Sequence, residues 1–334
     1  MAVSALAWMA TLIALRLVNV RKTVRRKADR AAVERALIGV MQGKGDANAL
    51  QPYRQRARLI AETLLDFIGI VRGQDRQAVV DALESLGADR ILRARVTRGS
   101  LAGRLASIEA LGVFPGAETQ HVLLRASDRG PQGLRLAALR SLRQAGGEVR
   151  ASDVLQRVGA QRLRPSGGVA EFLRELVADD PAWAAAALSG ETLAAEPRLM
   201  LLEALGEAGA YEAIPVFTTY AASECPRMRA AAVTGLGKLM HPAGEACIRS
   251  ALDDSEWEVR SAAAKAAGDA RLAGLLDPLA MRLADEVWRV RHQAAHALAK
   301  LGPGGRQRLE AAAGSGGGGV AARAASLALA EAIT

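Results

Sequence analysis

The sequence reads DSEWEVR at residues 254–260 and DEVWRVR at residues 285–291, 31 positions later. The same period spaces arginines and apolar residues over four repeats without a gap. Counted from the residue before each arginine, apolar or small residues recur at offsets 0, 4, 7, 8 and 11, which is the spacing of one helix face. The arginines are Arg198, Arg229, Arg260 and Arg291, and the apolar positions include Leu205, Leu236, Ala267 and Leu298.

The pattern extends beyond these four repeats. It fits the residues around Arg104 and Arg135, which are also 31 apart, fits less well at residues 75–86 and 166–180, and reappears around Arg323. A second helical stretch precedes each patterned helix, for example at residues 243–252, and an acidic turn joins the two. Each repeat is therefore predicted to be a helical hairpin that buries its apolar face by stacking on its neighbours.

Composition agrees with an all-α fold. Half of the residues are apolar but only 3% are aromatic, and Ala and Leu are far more frequent than the β-branched residues of sheets. We predict an α-solenoid of about eight to nine stacked hairpins, preceded by one transmembrane helix. The predicted divisions are an anchor at 1–20, a basic segment at 21–30, a helical lead-in at 31–70 and the solenoid at 71–334, which is clearest over 190–302 and contains a flexible glycine-rich loop at 314–319.

The acidic turn and the Val-Arg start of the next helix, at residues 254–260 and 285–291, closely resemble HEAT repeats of the short, phycobilisome-lyase type. The resemblance covers roughly residues 70–334 and is weakest near 150–185, where Pro165 and Gly167-Gly168 disturb the pattern. It implies a solenoid fold but hardly restricts function, because such repeats occur in scaffolds, lyase subunits and DNA-repair enzymes.

The first twenty residues are apolar. Residues 2–20 contain a single charge, and at about 1.5 Å per residue a helix of this length is close to the thickness of a bilayer core. Basic residues follow the apolar run and none precedes it, so the positive-inside rule places the remaining chain in the cytoplasm, on the inner membrane. The membrane-proximal basic residues are Arg16, Arg21, Lys22, Arg25, Arg26, Lys27 and Arg30.

Other interpretations of this segment differ in what they require. A cleaved signal peptide needs basic residues before the apolar run, and here the order is reversed. A helix lying on anionic lipid would also use the basic residues, and a helix buried in the protein would use only the apolar ones. The interfacial and buried alternatives therefore stay open beside the spanning one.

Acidic residues lie six or seven positions before several of the arginines. This spacing suits a ladder of side chains that links the turn of one repeat to its own or the adjacent helix, and we predict a structural role for it. The ladder residues are Asp128, Arg135, Arg198, Arg229, Asp254, Arg260, Asp285 and Arg291.

Two further sets recur with the repeat and are candidates for binding a partner. One is a row of charged residues of alternating sign on the patterned helices, for which a solvated face is the simpler explanation. The other is a pair of tryptophans 31 residues apart, which could anchor a partner or pack internally. The candidates are Glu203, Glu207, Lys238, Lys265, Asp269, His296, Lys300, Trp257 and Trp288.

Charge and residue types narrow the function. The net charge of +9 is concentrated near the N-terminus, since residues 176–334 carry 15 basic and 19 acidic side chains. Cys225 and Cys247 form no metal-ligand motif, no histidine is followed by Glu, and we expect no catalytic residues, metal or cofactor. We therefore predict a non-catalytic scaffold that binds a membrane-associated protein. The alternatives are a nucleic-acid-binding or DNA-glycosylase-like protein, which needs a basic groove, and a lyase-type subunit.

Overall fold

A computed structural model describes residues 2–41, 47–53, 74–85, 87–159, 166–190, 193–314 and 319–331, together with residues 56, 59, 63 and 66. All regular structure in these ranges is helical, which confirms the all-α prediction. The chain forms two compact units, residues 1–149 and residues 150–334.

The first unit contains six α-helices and one 3-10 helix, Ala47–Tyr53, in its described residues. The longest, α1, continues through the predicted boundaries at residues 20 and 30. It packs against α2 and the 3-10 helix, and its residues Val33 and Leu37 are buried. Helices α3/α4 and α5/α6 form two hairpins, and α4 packs beside α6. The helices are α1 Ala2–Met41, α2 Gln74–Ser85, α3 Ala88–Arg95, α4 Leu101–Leu111, α5 Ala117–Ala126 and α6 Gln132–Gln144.

The second unit contains twelve described α-helices, which pair into six hairpins from α7/α8 to α17/α18. One turn of 3-10 helix precedes each of α11, α13 and α15. The helices are α7 Ala151–Val158, α8 Gly167–Asp179, α9 Pro181–Ser189, α10 Ala195–Ala208, α11 Ile214–Ala221, α12 Pro226–Leu239, α13 Glu245–Ala251, α14 Trp257–Asp269, α15 Leu276–Arg282, α16 Trp288–Lys300, α17 Pro303–Ala313 and α18 Val320–Glu331.

The second helices of these hairpins, α8, α10, α12, α14, α16 and α18, pack side by side, and we call them the second-helix row. Their periodic apolar residues form the core between the hairpins, where Leu205, Leu236, Ala267 and Leu298 are at most 1% exposed. Burying one leucine of this kind contributes about 1.5–3 kcal/mol. The stacked hairpins predicted from the 31-residue period are therefore present in this unit.

The row is close-packed because small residues face each other across it. A Cβ added to Gly237 of α12 would lie 2.6 Å from the Cβ of Ala266 in α14, and one added to Gly268 would lie 2.7 Å from the Cα of Ala297 in α16. The two glycines are one repeat apart, as are the two alanines. The repeat period thus fixes which positions must stay small.

The predicted anchor lies on the first half of α1, and most of its side chains are outside the described residues, as are residues 315–318 of the predicted flexible loop. In the described part of the chain, no helix is both long and apolar enough to cross a membrane. Helix α1 does expose large apolar side chains, with Trp8 69% and Val24 60% exposed.

Candidate functional site

Four predicted ladder arginines lie in the first turns of the second-helix row, and two of them, Arg229 and Arg260, contact two consecutive repeats. Arg260 donates through Nη1 to the carbonyl oxygens of Asp254 and Ser255, in its own turn, at 2.9 and 3.0 Å. Its Nε and Nη2 donate to both carboxylate oxygens of Asp285, in the next turn, at 2.8 and 3.1 Å. The side chains of Arg260 and Asp285 are only 8% and 3% exposed. Arg260 therefore ties its own repeat to the following one.

Arg229 makes the equivalent contacts one repeat earlier. Its Nε and Nη2 are both 2.7 Å from carboxylate oxygens of Asp254, and its Nη1 donates to the carbonyl oxygens of Ser223 and Glu224. Arg291, at the next position, donates to the carbonyl oxygens of Asp285 and Glu286. In the first unit, Asp128 is exposed in the turn before α6 and Arg135 is half-buried in its first turns.

These contacts alter the proton affinity of the aspartates. Burial alone would raise the pKa of Asp285, but the hydrogen bonds from Arg260 and from the Val287 N–H outweigh it and hold the pKa below its ordinary value. The pKa of Asp254 is lowered in the same way, by Arg229 and the Glu256 N–H against the effect of burial.

A pH dependence of stability follows from these shifts. A carboxylate with a lowered pKa in the folded state stabilises the protein fully above its unfolded pKa of about 3.9, and this stabilisation is lost as the pH falls through the folded value. We expect the urea concentration at the unfolding midpoint to decrease as the pH is lowered from 5 to 2.5. The decrease should be smaller in the double variant Asp254→Asn/Asp285→Asn. Parallel profiles for the two proteins would contradict this assignment.

Arg198 occupies the ladder position of α10 but has no bond to a carboxylate in the turn of the next repeat. It donates to the carbonyl oxygen of Leu193 at 2.8 Å, while its buried Nε has no hydrogen-bond partner in the described part of the chain. The position that holds Asp254 one repeat later is Ser223 here. The Ser223 hydroxyl accepts from the Cys225 N–H, just as the aspartate accepts from the N–H two residues on. The turn therefore has the ladder geometry without the carboxylate.

We expect Ser223→Asp to complete this contact. The new carboxylate can accept from Arg198 and from the Cys225 N–H, and a hydrogen bond to a charged group contributes about 1.5–3 kcal/mol. Urea unfolding should show a gain of about 1–2 kcal/mol after the cost of burying the carboxylate. Ser250→Asp, an exposed control at the end of α13, should change stability by less than about 0.5 kcal/mol. Equal effects of the two substitutions would show that the new carboxylate does not bond to Arg198 Nε.

The predicted row of alternating charges lies on the exposed side of the second-helix row, where its members pair across repeats. Lys238 Nζ of α12 lies 2.7 Å from Glu207 Oε1 of α10, and this hydrogen bond lowers the pKa of Glu207. Asp269 of α14 accepts from Lys265 and from Lys300 of α16, each at 2.5 Å. His296 Nε2 lies 3.1 Å from Glu331 Oε2 of α18. Glu203 is exposed on α10.

The two predicted tryptophans begin α14 and α16. Trp257 is partly exposed, whereas Trp288 is 59% exposed. The ring of Trp288 stacks on His292 with centroids 4.9 Å apart, and no ring contact joins it to Trp257 among the described residues. The basic residues of α1 whose side chains are described, Arg16, Arg25, Lys27 and Arg30, are exposed, and those of Arg21, Lys22 and Arg26 lie outside the described residues.

A groove of about 710 Å³ runs over α8, α10, α12 and the start of α14, and we call it the row groove. Its floor is formed by Leu199, Met200, Ala204, Gly206, Pro226, Ala230, Ala231, Thr234, Gly235 and Ala170. Its rim is charged and consists of Arg174, Glu203, Glu207, Arg227, Lys238, Glu256 and Glu258. Only Glu203, Glu207 and Lys238 belong to the predicted candidates, so the groove unites part of that set with residues that the sequence analysis missed.

The 31-residue period could have identified some of the rim residues that were not predicted. Arg227 pairs with Glu196 at 2.7 Å, and Arg308 pairs with Asp277 at 2.7 Å, and each pair spans 31 residues, as Glu207 and Lys238 do. Opposite charges one period apart therefore mark some of the cross-repeat pairs. The period gives no such signal for Glu256. It would wrongly pair Glu258 with Arg227, which bonds to Glu196 instead. Both glutamates reach the groove because α14 packs on α12.

The described residues contain no cluster of three His, Cys, Asp or Glu side chains placed to hold a metal ion. What the site offers is an apolar floor between rigid helices and a charged rim. Such a surface can bind another molecule by burial and electrostatics.

Residues 245–330 match the family model described as HEAT repeats, so this part of the chain consists of HEAT repeats, as the motif resemblance implied. The narrower likeness to the phycobilisome-lyase type stays a prediction. No curated protein matches the chain.

Among solved structures, the karyopherin Kap121p bound to the extreme C-terminus of the protein phosphatase Cdc14p is 14% identical, with a TM-score of 0.48, over 93% of this chain and 44% of Kap121p. Kap121p bound to Ste12p is 13% identical, with a TM-score of 0.48, over 92% of this chain and 43% of that one. An engineered protein is 17% identical, with a TM-score of 0.40, over 90% and 88% of the two chains. The chain thus spans less than half the length of the karyopherin, and likeness at this level carries no argument about binding.

Proposed function

We propose that this HEAT-repeat chain is a non-catalytic scaffold that binds a segment of a partner protein in the row groove. The observation that carries the proposal is the groove itself, about 710 Å³ in volume with an apolar floor and a charged rim. Four neighbouring helices contribute to it, so the surface is held by the packing of the hairpins and is largely preformed.

The rim favours a protein over a nucleic acid. Four of its seven charged residues are acidic, and two of its three basic residues, Arg227 and Lys238, already pair with glutamates. Nucleic-acid binding depends on cations that neutralise phosphates. The groove lacks that excess of cations, and no observation favours a lyase-type activity.

Site-specific cross-linking tests the proposal. A photo-reactive amino acid in place of Thr234, on the groove floor, should cross-link to a partner protein in cells of the source organism. Thr218 of α11 is the matched control, because it is exposed outside the groove and its hydroxyl also donates to the carbonyl four residues earlier. If the same partners cross-link at both positions, or if none cross-links at Thr234, the groove is not the binding surface.

We also propose that α1 attaches the scaffold to the inner face of the cytoplasmic membrane. The proposal is supported by the apolar run at residues 2–20, by the basic residues that follow it and by the exposed Trp8, Met9, Val20 and Val24 on this helix. The full chain should sediment with membranes and need detergent for release, whereas a chain that starts at residue 31 should stay in the supernatant. Full chain that remains in the supernatant after high-speed centrifugation would exclude attachment.

A further inference from the structure

We infer that the segment bound in the row groove is extended and basic, with at least two Lys or Arg side chains. The inference rests on the proposed function and adds the chemistry of the occupant. It follows from which rim charges are neutralised within the protein and which are left for a partner.

The rim charges separate into two groups. Glu207 pairs with Lys238 and Arg227 pairs with Glu196, so these four side chains neutralise each other. Glu203, Glu256 and Glu258 form no salt bridge within the described residues, and all three are exposed. Against them stands Arg174, whose Nε donates to the carbonyl oxygen of Ala170. Arg227 and Arg229, although bonded to Glu196 and Asp254, also attract Glu203 and Glu256 at longer range. The groove therefore presents an excess of negative charge to whatever enters it.

The unpaired carboxylates lie on different helices. Glu203 is on α10, whereas Glu256 and Glu258 flank the start of α14, with α12 between the two helices. A single cation cannot contact the carboxylates on both helices. An extended segment that crosses α12 can place one basic side chain near Glu203 and the next near Glu256 and Glu258. Lysine and arginine suit this path because their aliphatic stems can lie on an apolar floor while the charged ends reach the rim.

The floor is compatible with long basic side chains. Above α12 it consists of Ala230, Ala231, Thr234 and Gly235, whose side chains are short. The centre of the groove is therefore mostly apolar and leaves room for the aliphatic stems of Lys or Arg. The acidic border continues beyond the groove at Glu286, whose side chain is 83% exposed.

A fluorescein-labelled peptide of twelve residues that alternates Lys and Ala is the probe, measured by fluorescence anisotropy with the full chain. We expect saturable binding that weakens as salt rises. Glu203→Gln and Glu258→Gln should each lower the affinity about fivefold, and Glu203→Lys by about tenfold or more. The matched control is Glu212→Lys, which makes the same charge change at an exposed position outside the groove and should shift affinity less than twofold.

Two results would overturn the inference. One is equal binding of a Glu–Ala peptide of the same length, and the other is an equal effect of Glu203→Lys and Glu212→Lys. Circular dichroism melts of each variant show that a loss of binding does not come from unfolding. If Thr234 cross-links a partner protein but the Lys–Ala peptide does not bind, the basic occupant is rejected while the scaffold stands. If Thr234 yields no cross-link, the scaffold itself fails.

Discussion

Asp285→Ala is expected to lower the free energy of unfolding by about 3–5 kcal/mol, because it leaves the Arg260 guanidinium buried without its main counter-ion. Both carboxylate oxygens of Asp285 accept from Arg260, and the two side chains are 3% and 8% exposed. The carboxylate also accepts from the Val287 N–H at 2.9 Å, so the turn before α16 loses its own hydrogen bond. Glu286, 3.4 Å from Arg260 and 83% exposed, cannot replace it.

Urea unfolding followed by circular dichroism measures the loss. The control is Glu196→Ala, which removes the partner of Arg227 from a pair with a similar distance, 2.7 Å, but with side chains 65% and 40% exposed. Exposed pairs contribute about 0–1 kcal/mol, so this substitution should have a small effect. Asp285→Asn keeps an acceptor for the Val287 N–H and should fall between the two. If Asp285→Ala cost no more than Glu196→Ala, the ladder would not hold the repeats together.

Gly237→Ala is expected to destabilise the protein by about 1–3 kcal/mol although alanine is the better helix former. The new Cβ would lie 2.6 Å from the Cβ and 2.7 Å from the Cα of Ala266, in the neighbouring helix of the second-helix row. The backbone of α14 cannot yield as a flexible side chain could. The helices α12 and α14 must therefore move apart, which opens the apolar core between the hairpins.

Gly133→Ala is the matched control in α6, where a Cβ would meet nothing within 4 Å. There the substitution should stabilise by about 0.4–1 kcal/mol, because it reduces the entropy of the unfolded chain and favours the helix. Thermal melts of the two variants should therefore shift in opposite directions. A gain in stability for Gly237→Ala would mean that the two helices are not in such close contact.

The helical hairpins were predictable from the sequence because each depends on short-range order. The offsets around Arg229, Arg260 and Arg291 identify one helix face, and the acidic turns mark where each helix starts. The structure confirms helices at these positions, with α12, α14 and α16 each beginning at or just before the motif. Regular spacing of a few residue types is sufficient when every repeat buries the same face.

The direction of the ladder could not be predicted in the same way. The spacing of Asp254 and Arg260 was equally compatible with contacts inside one repeat or between two, and the structure shows both. The backbone carbonyl group of Asp254 bonds to Arg260 of its own repeat, whereas its carboxylate bonds to Arg229 of the preceding one. The spacing of two residues does not tell whether an aspartate bonds through its main-chain carbonyl or through its carboxylate. The orientation of the turn decides this.

The sequence by itself determined the helical class and the 31-residue repeat. These follow from periodicity, since the same local environment selects the same residue type in every repeat. Only the tertiary structure decided which charges pair, which remain open and where the row groove lies. Glu203, Glu256 and Glu258 look like ordinary surface residues along the chain, and the packing of α10, α12 and α14 places them around one apolar floor.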